Sequence, residues 1–236
     1  MEPLLANALF AALPPVWRQA HLRPQHLQEG QQWSLSMQQA WFPTTALLGL
    51  RVGAEPFGLP PVVGRSGWLP PAEQLDSPLQ VCVLKAGEAY CCDWSWEAPD
   101  SAMQATVWLA CAGATEALRQ QWARRAFSQR HHDPVQALAR WWQDCERAAR
   151  ASEPLVWREA WMLEWLGWLP SVLSRALWAL REQGALALDE QGWCCADPRR
   201  LAAVAADAQP ALETQASARA SATLMPSTPA DKIPPA

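Results

Sequence analysis

The stretch from residue 155 to residue 201 constrains this chain more than any other. It opens with apolar residues at helical spacing, breaks at Gly167, and resumes helical spacing through Arg181. Gly184 ends the second run, and two short strand-like pieces then flank Asp189-Glu190-Gln191-Gly192. Asp197-Pro198 starts a further helix. Helix, tight turn, helix, two-stranded wing and closing helix is the order of a winged helix-turn-helix, whose second helix can lie in a DNA major groove.

One helical run thus ends at Gly167 and a second continues through Arg181. Gly167 allows the positive φ of a tight turn. Pro170 suits the first helical turn, where its missing N–H is no loss. Ser171, Ser174, Arg175 and Trp178 share one face by the i, i+3, i+4, i+7 rule, and Leu173, Ala176, Leu177 and Leu180 form the core face. Arg175 is the leading candidate for a base contact, because its fork can grip guanine O6 and N7 together. The Ser171 and Ser174 hydroxyls suit phosphate or base edges, and Arg181 and the wing residue Gln191 are spaced to reach the backbone. The competing assignment for Arg175 is an exposed charge paired with Glu182 or Glu164.

Ahead of this region the periodicity differs. From residue 21 to about 90, short β-like runs at 46–52, 62–63 and 79–84 alternate with turn signals at Gly30, Gly53, Gly58, Gly64, Gly67 and Gly87. That spacing fits a small all-β sandwich or barrel. Residues 1–13 read as a short helix ended by Pro14-Pro15. Between 101 and 129 the spacing turns helical, with Val107, Cys111, Ala114, Leu118 and Trp122 near one stripe. A helix this long between two domains suits a dimer seam, with a plain core helix as the alternative. Asp133-Pro134 starts another helix, with Asp133 as N-cap and with Val135, Leu138, Ala139, Trp142 and Cys145 on one side. Residues 207–236, mostly Ala, Pro, Ser and Thr, are expected to be a disordered tail.

Charge restricts the partners. The net charge of −4 argues against gripping nucleic acid by bulk charge. Residues 155–190 carry three arginines against five carboxylates, so any phosphate contact there is sparse. Sixteen tryptophans suit a core and a dimer interface. Five of them (Trp157, Trp161, Trp165, Trp168 and Trp178) load the helix-turn-helix with indoles, and exposed members would suit protein contact as well as DNA contact.

Seven cysteines include the pairs Cys91-Cys92 and Cys194-Cys195 but no C-x-x-C spacing, and no Cys/His grouping matches a metal site. They read as small buried hydrophobes in a reducing cytosol, with a thiol redox sensor as the alternative. The four histidines lie outside any nucleophile–base or metal-binding pattern, so neither enzyme activity nor a cofactor is expected. The apolar N-terminus lacks a basic leader, and no stretch approaches the roughly 20 apolar residues of a membrane span. A cytoplasmic protein without membrane contact is expected.

The residues also carry a resemblance. The run 173–201 is similar to the C-terminal winged helix of the Crp/Fnr transcription regulators. That resemblance implies a first helix over 157–166, a turn at Gly167-Trp168-Leu169 and a recognition helix over 170–183. The matching residues are Leu173-Ser174-Arg175, Leu177, Leu180, Gly184, the strands at 186–188 and 193–196, and the segment 197–201. Upstream, Gln129-Arg130-His131-His132 and residues 135–142 resemble the family's segment joining the dimer helix to the DNA-binding domain. His26-Leu27-Gln28-Glu29-Gly30-Gln31, Trp41-Phe42-Pro43 with 46–50, and residues 82–89 look more loosely like strands of its cupin-like β-roll.

The resemblance implies an α+β chain with a β-roll effector-type domain over 1–100, a dimerisation helix over 101–130 and a winged helix-turn-helix over 131–206. It further implies a sequence-specific DNA-binding transcription regulator acting as a homodimer. Its implied partners are double-stranded DNA, RNA polymerase and a small effector that the sequence does not name. Three departures shape these expectations. Residues 58–77 offer only Arg65 as a base, so the phosphate-neutralising cassette of the cyclic-nucleotide members is unmatched. The first cysteine is Cys82, so the iron–sulfur cysteines near the N-terminus are unmatched as well. Pro170 and Ser171 stand where family members often carry an Arg-Glu pair, so the target sequence is expected to differ. The alternative is a family relative that acts as a protein-interaction or scaffold module without DNA binding.

Overall fold

Every residue from Val81 to Leu84 is buried, which a strand achieves only when both of its faces are covered. What covers them explains the architecture of the computed structural model, which describes residues 15–36, 38–52, 59–65, 67–71, 79–93, 101–131, 133–149 and 154–206. In order, the elements are α1 (Pro15–His21), β1 (Arg23–Leu27), β2 (Gln32–Ser34), β3 (Gln39–Pro43), β4 (Leu47–Val52), β5 (Val62–Val63), β6 (Leu79–Lys85) and β7 (Gly87–Asp93). After them come α2 (Ser101–His131), α3 (Pro134–Ala149), β8 (Val156–Trp157), α4 (Glu159–Leu166), α5 (Pro170–Glu182), β9 (Leu186–Leu188), β10 (Trp193–Cys195) and α6 (Pro198–Ala206).

Two antiparallel sheets make the roll, one ordered β1-β7-β3 and the other β2-β6-β4-β5. Alternation along the strands sends Leu48, Leu50, Val63, Val81 and Val83 into the roll, where they meet Leu27, Leu35, Leu69, Leu79 and Ala89. Leu118 of α2 is buried in that cluster and Trp122 packs against it, so the long helix closes the roll. The opposite face of the same sheet presents Leu47, Val62, Cys82 and Leu84, which join one core with α3 and the C-terminal elements. The roll and the winged helix therefore share a hydrophobic core rather than merely touching.

α3 is the element between them. Asp133 caps it, accepting the Val135 N–H at 3.1 Å. Its buried residues are Ala137, Leu138, Ala139, Trp141, Trp142, Cys145 and Ala149, a wider stripe than sequence spacing indicates because two layers cover it. The Trp141 indole N–H donates to the Pro60 carbonyl at 3.2 Å. The Arg65 N–H donates to the Ala148 carbonyl at 3.2 Å, and Gly64 approaches so closely that a β-carbon there would overlap that carbonyl. Stacked indoles continue the contact: Trp157 and Trp161 lie 5.0 Å apart, Trp161 and Trp165 5.9 Å, and the Arg51 guanidinium of β4 caps Trp165 at 5.1 Å. Each buried indole removes roughly 150–250 Å² from water, worth about 4–6 kcal/mol before entropy is counted.

The helix expected over 1–13 lies outside the described residues; Pro15 opens α1, since Pro costs nothing at the first helical position. Two sequence expectations need correction. The first helix of the helix-turn-helix begins at Glu159, not at residue 157. Val156-Trp157 instead forms β8, which pairs antiparallel with β10 through Trp193↔Trp157 and Cys194↔Val156. The wing sheet thus has three strands, ordered β8-β10-β9, where the sequence suggested two.

Candidate nucleic-acid interface

The geometry of the interface follows from how α4 and α5 are joined. Gly167 takes φ 61°, and its N–H donates to the Leu163 carbonyl at 3.1 Å, ending α4. A left-handed residue there costs little only because glycine has no β-carbon. Leu169 is extended, as the residue before a proline must be, and α5 starts at Pro170. Leu173, Ala176, Leu177 and Leu180 are fully buried, which fixes the rotation of the helix.

That rotation turns Ser171, Arg175, Trp178 and Arg181 outward, all exposed, with Ser174 half-buried beside them. The predicted reading-face residues of α5 are therefore brought together on one side. Arg175 Nε donates to the Ser171 carbonyl at 3.1 Å, so its partner is its own helix and not Glu182 or Glu164. Trp178 meets the buried Trp193 edge-on at 5.8 Å, and the Arg181 guanidinium lies over its ring at 4.6 Å. At the wing tip Asp189 Oδ1 accepts the N–H groups of Gln191 and Gly192 at 2.8 and 2.9 Å, which leaves the Gln191 side chain exposed. Asp197 caps α6 by accepting the Arg199 N–H at 2.8 Å and the Arg200 N–H at 3.3 Å. Arg200 also donates to the Gln183 carbonyl at 3.3 Å, tying α6 to the end of α5.

The indole-rich surface is smaller than sequence reading suggests. Trp157 and Trp165 are buried, and Trp161 and Trp168 are half-buried against the core. Trp178 alone of the five is exposed, at 46%. Sequence reasoning missed Leu169, 69% exposed at the mouth of α5, and Leu188, 43% exposed on the wing. The signal for Leu169 was the following proline, which removes it from helical periodicity.

Among the described residues no group of His, Cys, Asp and Glu could hold a metal ion. Burial pushes the Cys82 thiol up to about 12 and the Cys195 thiol up to about 11, and it raises Cys145 well above the usual range. Cys82, Cys91, Cys92 and Cys145 are buried, as the buried-hydrophobe reading expects, whereas Cys194 and Cys195 are half-buried. No helix among the described residues is long and apolar enough to cross a membrane.

A sheet roll, a long helix and a winged helix follow one another in this order, and solved structures of Crp/Fnr-type regulators share that fold. A CRP-family transcriptional regulator from Thermus thermophilus matches over 79% of this chain and 99% of its own, with a TM-score of 0.58 at 11% identity. The c-di-GMP-responsive global regulator CLP from Xanthomonas campestris matches over 75% of this chain and 95% of its own, with a TM-score of 0.59 at 11% identity. FixK2 from Bradyrhizobium japonicum matches over 79% and 98%, with a TM-score of 0.54 at 13% identity. No protein-family model matches the chain, and neither does any curated protein.

Proposed function

We propose that this chain is a sequence-specific DNA-binding transcription regulator that acts as a homodimer. One observation carries the reading: α5 buries its leucine face while holding Ser171, Arg175, Trp178 and Arg181 on an open face beside the wing. Arg175 contacts a guanine edge in the major groove, Ser171 and Ser174 contact phosphate or base edges, and Arg181 and Gln191 reach the backbone. Trp178 belongs to the same reading face.

The dimer forms along α2. Its inner side is occupied by the roll through Leu118. Its outer side carries Ala102, Ala105, Leu109, Ala112, Glu116, Arg119, Ala123 and Ala126, all exposed and spaced alternately three and four residues apart. That spacing is the seam of a two-helix contact, and Leu109, 75% exposed, is its largest apolar side chain. A two-fold dimer presents two α5 helices to two half-sites about one helical turn of DNA apart.

The deciding experiment is selection of duplexes from a random pool by the full chain at two salt concentrations. A two-fold symmetric sequence bound in a salt-dependent way supports the reading. Failure to enrich any sequence at low salt overturns it in favour of a protein-interaction module, the reading that the acidic balance of 155–190 favours.

A further inference from the structure

We propose that Trp178 reads the C5-methyl group of a thymine in the major groove, next to the base pair that Arg175 contacts. This rests on the DNA-binding reading above and gives its target site a chemical content. An exposed indole on an otherwise well-packed helix needs a reason, because the other tryptophans of this motif are buried or packed against the core. Trp178 lies one turn after Arg175, on the same exposed face of α5.

Its side chain is also held in place. The buried Trp193 supports it edge-on at 5.8 Å with the rings at 89°, and the Arg181 guanidinium covers its ring at 4.6 Å. Two contacts on an exposed ring restrict its rotamers before any ligand arrives, which lowers the entropy lost on binding. Arg181 meanwhile sets a cation beside the indole, where it can meet a phosphate and seat the ring against the groove.

The chemistry of the indole selects the base feature. Indole has one N–H donor and no acceptor, so it cannot make the bidentate pairings that distinguish guanine or adenine. The one apolar feature in the major groove is the thymine methyl.

The test uses the full chain and a duplex recovered from the random pool. Each thymine is replaced in turn by dU, which removes the methyl and leaves the base pair intact. Loss of one buried methyl weakens binding about fourfold. The expected result is such a loss at one thymine per half-site, beside the guanine whose replacement abolishes the Arg175 effect. Trp178→Gln, shown by circular dichroism to be folded, loses sensitivity at that position alone. A folded wild-type chain that binds its site but ignores every dU substitution overturns this proposal and leaves DNA binding standing. Recovery of no bound duplex overturns both.

Discussion

Nη2 of Arg125 in α2 donates to Oδ2 of Asp144 in α3 across 3.2 Å, and the Arg125 side chain is only 8% exposed. Burial lowers the Arg125 pKa, and the Asp144 carboxylate opposes that shift. Asp144 also accepts from Arg147 Nη1 at 2.8 Å, so the two members of the pair are unequal. Asp144→Ala leaves a buried guanidinium with no counter-charge and costs about 3 kcal/mol, whereas Arg125→Met leaves a half-exposed carboxylate that keeps Arg147 and costs less. Urea unfolding of both variants checks the order. A larger loss for Arg125→Met contradicts it.

The roll and α3 come close together at Gly64. A side chain there must displace the Ala148 carbonyl, which is backbone and cannot rotate away. Gly64→Val is expected to cost about 1–3 kcal/mol, the range for overpacking. Because the shared core joins the two domains, the variant should also unfold in two steps where the wild type unfolds in one. Calorimetry reads both effects.

Glu146 gives the protein a pH dependence. Burial raises its pKa above the ordinary 4.5, outweighing the lowering influence of the neighbouring Trp142 indole and Leu155 backbone. A carboxyl with a raised folded-state pKa takes up its proton more readily when folded. Its effect is absent below the unfolded pKa, and stability falls as pH rises from there through the folded value. The melting temperature should therefore decline across that window in the wild type. In Glu146→Gln the decline should flatten, and an unchanged slope counts against the assignment.

Arg175→Ala tests the base contact of the proposed regulator. A bidentate guanine contact is worth about 1–3 kcal/mol, so affinity for the selected duplex falls about tenfold or more. Discrimination at one base pair relaxes. The salt dependence of binding should hardly change, since a base contact releases no counterion from phosphate.

Leu109→Asp tests the dimer seam. Carboxylates facing each other across a two-fold axis, in place of the largest apolar side chain of the outer face, should produce a folded monomer in sedimentation experiments. A dimer that persists in this variant excludes α2 as its contact.

Local order was largely legible in the chain, and residues 170–201 show why. Pro170, the 3–4 spacing of Leu173, Leu177 and Leu180, the glycines at 184 and 192, and Asp197-Pro198 each specify backbone conformation within a few residues. α5, the wing strands β9 and β10, and α6 accordingly lie where the pattern puts them. The open face of α5 followed from the same spacing. β8 was not legible, because a two-residue strand has no periodicity, and Val156-Trp157 becomes one only by pairing with Trp193 and Cys194.

The sequence by itself determined the order of a small β domain, a long helix and a winged helix, through periodicities of two and 3.6 and through turn chemistry. Tertiary structure alone decided that the roll and the winged helix share a core. Cys82 and Leu84 read as apolar in either case, but no local pattern says which layer will cover a strand's outer face. That depends on where Trp141, Trp142 and the Gly64–Ala148 approach bring α3 to rest. Tertiary structure likewise left Trp178 outside while the other indoles of the motif were drawn against the core, because burial depends on the partner that arrives and not on the side chain alone.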